Sequence, residues 1–171
     1  MKVITVFLFF NLVAVNFVFA ADIDNLFFAA VLGKTERVKS ILADGIDVNG
    51  KTLSGRTAIM GASFNGNVRV TKILLTYGAN VNLTDNLGTT ALMDAVVFGR
   101  EELVKLLITA GADVNATDNQ NVSVIDKAKK TQYKNIVKIL EAVAKSIKKS
   151  DSDTTDTKAA DETTPESKTD K

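Results

Sequence analysis

Cysteine, histidine and tryptophan are absent from this chain, and proline occurs once, at Pro165. Without cysteine there is no disulfide framework, no thiolate metal site and no lipid attachment at a processed cysteine. Without histidine as well, the commonest nucleophile–base pairs and most transition-metal sites are excluded. The ten glycines do not cluster into a phosphate-cradling loop but are spread at regular intervals. Excess charge of either sign is missing too: 21 basic and 20 acidic residues leave a net charge of +1. A nucleic-acid binder would carry a basic bias. The carboxylates Asp47, Asp85, Asp113 and Asp118 fall at turn positions that a repeat explains structurally. The expectation is a protein that is no enzyme and needs no cofactor, metal or nucleic acid, held together by packing alone.

What is present begins with an apolar leader. Residues 1–20, MKVITVFLFFNLVAVNFVFA, hold the single charge Lys2, then an apolar run ending in Val18-Phe19-Ala20. A basic start, an apolar middle and small residues at Val18 and Ala20 predict a secretory signal peptide cut after Ala20. The alternative is an uncleaved anchor, because Val3 to Ala21 approaches the roughly 20 residues of a membrane span. Asn11 and Asn16 interrupt that run.

From residue 21 to 149 the chain repeats itself every 33 residues. "GRTAIMGA" (residues 55–62) returns as "GTTALMDA" (residues 88–95). Gly33, Gly66 and Gly99 fall in register, as do Gly45, Gly78 and Gly111, and the alanines Ala29, Ala62, Ala95 and Ala128. Val48, Val81 and Val114 are each followed by Asn, at Asn49, Asn82 and Asn115. A fixed period of this length is the signature of stacked helical repeats. Thr57, Thr90 and Ser123 stand just before short apolar stretches, where a hydroxyl can accept from an unpaired helix N–H. Asp24 takes that place in the first repeat. Leu74, Leu107 and Leu140 form one column at helical spacing. No helix pair could bury such a face alone, so neighbours must stack.

These columns, and above all "LLTYGANVNLTDNLGTTALMDAVVFGREELVKLLITAGADVN" (residues 74–115), resemble the ankyrin repeat. The resemblance implies an all-α solenoid of about four helix-turn-helix repeats joined by hairpin loops. They fall at about 22–49, 50–82, 83–115 and 116–147, with the first and last degenerate as caps. Where the family usually has Pro and His, this chain has Ala58-Ile59-Met60 and Ala91-Leu92-Met93, so methionine packing is expected to replace a Thr–His network. The polar Asp126 and Gln132 in the last repeat suit an outer cap. Ankyrin repeats bind proteins through a concave surface of hairpin tips and first-helix ends. By resemblance that surface comprises Leu53, Ser54, Arg56, Phe64, Asn65, Asn86, Leu87, Thr89, Val97, Phe98, Asn119 and Gln120. Val31, Leu32 and Val122 extend it. Phe64 and Phe98 are read as equivalent residues one repeat apart, and hence as neighbours at the centre of a binding ridge.

Residues 150–171 carry seven acids, three lysines and, beyond Ala159 and Ala160, nothing apolar, which predicts a disordered acidic tail. The last repeat is lysine-rich, from Lys127 to Lys149. Asn82 and Asn115 also lie in glycosylation sequons, yet their expected role is closing local turns. Taken together, these features suggest an exported, monomeric protein-interaction module of bacterial type, periplasmic or secreted, with a protein partner. The rival expectations are a membrane-tethered scaffold with the leader retained, and an inhibitor or immunity partner of a secreted enzyme.

Overall fold

The computed structural model describes residues 22–155, with side chains to residue 148. The leader and the tail beyond Thr155 lie outside the described residues. The described residues form four helix pairs. Helix α1 occupies residues 22–31 and α2 runs Thr35–Ala43. The second pair is α3 (Ala58–Asn65) and α4 (Val68–Thr76), and the third α5 (Ala91–Val97) and α6 (Glu101–Thr109). The last is α7 (Val124–Lys129) and α8 (Lys134–Thr155). α3, α5 and α7 pack side by side as one layer, and α2, α4, α6 and α8 as the other. The all-α solenoid is as expected.

The columns of the sequence are the layers of the core. Ala29, Ala62, Ala95 and Ala128 are buried between successive first helices, where a small side chain lets backbones approach within about 8–10 Å. Ile41, Leu74, Leu107 and Leu140 are buried along the second-helix layer, each contributing roughly 1.5–3 kcal/mol by leaving water. Met60 and Met93 lie fully in the core, so the expected methionine packing is present.

Polar ladders then tie each repeat to the next. The Asn49 Nδ2 donates to the Gly78 carbonyl, and its Oδ1 accepts from the Asn80 N–H at 2.8 Å. Asn82 repeats this with the Gly111 carbonyl and the Asp113 N–H, both at 2.9 Å. The local turns are closed instead by the residue two earlier: Asp47, Asn80 and Asp113 accept from the N–H of Asn49, Asn82 and Asn115. The amides of Asn49 and Asn82 therefore bridge repeats rather than close their own turns, which corrects the expectation for Asn82.

Two more expectations are corrected at helix ends. Thr90 and Ser123 accept from the N–H of Met93 and Asp126, at 3.3 and 3.0 Å, as expected. Thr57 does not: its hydroxyl is buried with no partner among the described residues, while its N–H points to the Met60 sulfur. At the other end, α8 continues to Thr155, past the residue-149 boundary where composition placed the start of the tail. Residues 156–171 of the expected tail lie outside the described residues.

Candidate functional site

The hairpins before α3, α5 and α7 fix the residues of interest. In each, one side chain receives the backbone of the turn: Thr52 Oγ1 accepts from the Arg56 N–H. Asp85 Oδ1 accepts from the N–H of Leu87 and Thr89, and Asp118 Oδ1 from those of Gln120 and Val122. Successive tips then bond to one another. The Asn86 N–H donates to the Ser54 carbonyl and its Nδ2 to the Leu53 carbonyl, at 3.1 and 3.0 Å. Asn119 does the same to Leu87 and Asn86, both at 3.1 Å. Gly88 (φ 77°) lies so close that a Cβ there would stand 2.7 Å from the Asn119 nitrogen. In the last hairpin the same left-handed position holds Asn121 (φ 59°). No further hairpin packs against it among the described residues, so a side chain fits.

These bonds sort the expected binding residues into two groups. Asn86 and Asn119 join the tips, and the Asn65 Nδ2 donates to the Val31 carbonyl at 2.6 Å, so these amides already have partners inside the fold. Ser54 shares a hydroxyl contact with Thr52 at 3.0 Å, and Thr89 is half-buried in its turn. Gln120 is exposed on the last tip. The apolar members of the set remain available. Leu53 is 99% exposed at its tip and Leu87 71% at the next. Val97 is exposed beside Phe98.

Phe64 and Phe98 need a correction of register. They are one residue more than a repeat apart; the true equivalent of Phe64 is Val97, and that of Phe98 is Asn65. The axes of neighbouring packed helices stand about 8–10 Å apart. The one-residue slip brings the two rings together, edge to face, with centroids 4.2 Å apart. That geometry is favourable for aromatic pairs. Each ring still exposes more than a third of its surface, 37% and 39%. They are both packed and accessible.

Charge enters the site through Arg56, a member of the expected set, and through Asp94, Asp118 and Lys127, which the expected set did not include. Arg56 pairs with Asp94 on the next repeat's first helix, and its guanidinium lies 5.9 Å from the centre of the Phe27 ring. Burial pushes the Asp94 carboxyl up from 3.8 to about 6, against the opposing pull of Arg56. One repeat further on, Lys127 pairs with Asp118 at 2.6 Å. The Lys127 hydrogen bond, with the N–H groups of Val122 and Gln120, holds the Asp118 carboxyl below its ordinary value. The Arg56 Nε is buried with no acceptor among the described residues.

Beside Arg56, the rings of Phe27, Phe28 and Phe64 with Val31 and Gly61 line an open hollow of roughly 230 Å³. Its one clear sequence signal is a broken column: Phe28, Gly61, Asp94 and Lys127 are equivalent positions with four different chemistries. Among the described residues no acidic cluster could hold a metal ion. No helix among them is long and apolar enough to cross a membrane.

Stacked helix pairs, bonded hairpin tips and an exposed first-helix row are the geometry of an interaction repeat. Residues 26–118 match the family model for ankyrin repeats, in three copies. The chain belongs to the ankyrin-repeat family, and its repeats mark a protein–protein interaction module of a typically non-catalytic fold. No curated protein matches the chain significantly.

Proposed function

We propose that this chain is an exported, monomeric ankyrin-repeat module that binds one protein partner through an apolar ridge on its concave surface. The ridge consists of Leu53, Leu87, Phe64, Phe98 and Val97, rimmed by Ser54, Asn65, Asn86, Thr89, Asn119 and Gln120. The observation that carries it is the exposure of large apolar side chains along consecutive hairpin tips and first helices, with Leu53 at 99%. Interface centres are built from such apolar and aromatic anchors inside a polar rim. Export rests on the leader: Lys2, the apolar run, and small residues at Val18 and Ala20.

The test is a pull-down from the native source with the wild-type protein and a Leu53→Ser/Leu87→Ser double variant. Both leucines stand in solvent, so the variant should melt as the wild type does. Loss of the captured protein from the variant is the expected outcome. Equal capture by both would place binding elsewhere. Export is tested separately by Ala20→Arg, which should block processing and leave the protein on the membrane.

A further inference from the structure

The strongest feature that the ridge does not use is the hollow between α1 and α3. Its walls are almost wholly apolar: the rings of Phe27, Phe28 and Phe64 and the Val31 side chain. Phe27 and Phe28 meet edge to face at 5.5 Å, which sets two walls at a steep angle. Gly61 forms the floor, and its lack of a side chain lets the walls close on it: a Cβ there would stand 2.8 Å from Val31 Cγ2 and 2.9 Å from the Phe27 ring. Phe28 is 59% exposed, so it walls an opening to solvent. At roughly 230 Å³ the hollow lies below the roughly 300–1,000 Å³ of sites that enclose a whole small-molecule ligand. It suits a single large side chain.

Two details specify what enters. Arg56 lines the hollow with a guanidinium whose Nε is buried with no acceptor among the described residues, an arrangement native structures rarely leave unfilled. Asp94 occupies only the Nη2 side of that guanidinium, leaving further donors of its planar fork. Phe64, meanwhile, is shared: one side lines the hollow and its ring meets Phe98 on the ridge. The hollow therefore continues into the ridge, and an occupant that fills both is an extended chain rather than a free small molecule.

We propose that the hollow between α1 and α3 receives an aromatic side chain from a partner segment and that Arg56 accepts the carboxylate of an adjacent Asp or Glu as its second ion-pair partner. The partner's recognition element is thus an acidic–aromatic stretch, with the aromatic ring anchored between Phe28 and Phe64. This rests on the partner-binding reading of the ridge and names the partner's chemistry.

The test uses the dipeptide acetyl-Phe-Glu-amide, with acetyl-Phe-Gln-amide and acetyl-Ala-Glu-amide as controls, titrated into isotope-labelled protein followed by NMR. The expected result is shifts centred on Phe28, Val31, Arg56 and Gly61, with the Phe-Glu probe binding about five- to tenfold more tightly than Phe-Gln, the scale of one charge-assisted hydrogen bond. Gly61→Ala should abolish the shifts by forcing Val31 and the Phe27 ring out of place as walls. Phe28→Ser should do so too, and as a change at an exposed ring it leaves the fold intact. Arg56→Gln should remove the preference for Glu while keeping that for Phe. Equal binding of Phe-Glu and Phe-Gln would overturn the carboxylate's role. Shifts at Leu53, Leu87 and Phe98 without shifts in the hollow would overturn the pocket while leaving the ridge standing, and absence of any shift at millimolar probe would overturn the pocket outright. The ridge itself is judged by the leucine double variant.

Discussion

Two kinds of column run through this molecule, and they behave differently. The column Ile41, Leu74, Leu107 and Leu140 keeps a branched aliphatic residue in every repeat, and each is buried. The column Phe28, Gly61, Asp94 and Lys127 changes in every repeat: an exposed ring, a bare floor, a buried acid and a paired ammonium. The first column answers to the stack, which presents the same hole each time. The second faces the hollow and the hairpins, where each repeat meets something different. Repetition marks the scaffold, and its interruption marks the candidate site.

That contrast makes ordered predictions. The largest effect belongs to the scaffold: Leu107→Ala, with a repeat on either side, should lose roughly 2–5 kcal/mol in denaturant unfolding. Leu140→Ala, with a repeat on one side only, should lose less. Equal losses would erase the distinction between inner repeat and cap.

Next come the hairpin glycines. Gly88→Ala meets both a left-handed backbone and the Asn119 nitrogen, whereas Gly111→Ala (φ 88°) has nothing within 4 Å. The second change should cost only the left-handed penalty of about 1–2 kcal/mol, and the first distinctly more, read from the same unfolding curves.

A pH-dependent effect follows from the interrupted column. Because burial raises the Asp94 carboxyl from 3.8 to about 6, its protonated form is the one the fold favours. The stability it contributes is complete below about pH 4 and is lost as pH rises through 6. The stability of Asp94→Asn relative to wild type should therefore climb between pH 4 and 6 and level off above. A flat difference would mean that Arg56 offsets the burial of Asp94 completely. The smallest stability effect is expected at Phe98→Ala. Its half-exposed ring should cost about 0.5–1.5 kcal/mol for the lost pair with Phe64. A partner that uses the ridge should lose about 2 kcal/mol or more of binding.

The fold was legible because packing repeats: Gly33, Gly66 and Gly99, or the four alanines, needed only a fixed period to be seen. Thr57 shows the limit, since its hydroxyl has the right spacing to cap α3 and yet is buried with no hydrogen-bond partner among the described residues. The extent of α8 was hidden too, because composition stops marking a buried face near residue 149 while the backbone stays helical to Thr155. The site was half legible. Leu53, Leu87, Phe64 and Phe98 came from alignment with the repeat, though the contact between the rings depends on a slip that the period conceals. The hollow was not seen. Phe27 and Phe28 belong to the degenerate first repeat, and the Arg56–Asp94 pair spans 38 residues, a separation unrelated to the period.

The bonded hairpin tips also have a mechanical meaning. The bonds of Asn86 and Asn119 run along one edge of the stack, from the second repeat to the fourth, and those of Asn49 and Asn82 form a second line of ties from the first repeat to the third. A stack held by two such lines resists twisting more than one held by apolar contact, which slides. Under tension between its ends, the load falls on one inter-repeat seam at a time rather than on the whole core. Rupture would proceed as discrete steps of one repeat each, with the hydrogen-bonded seams setting the force of every step.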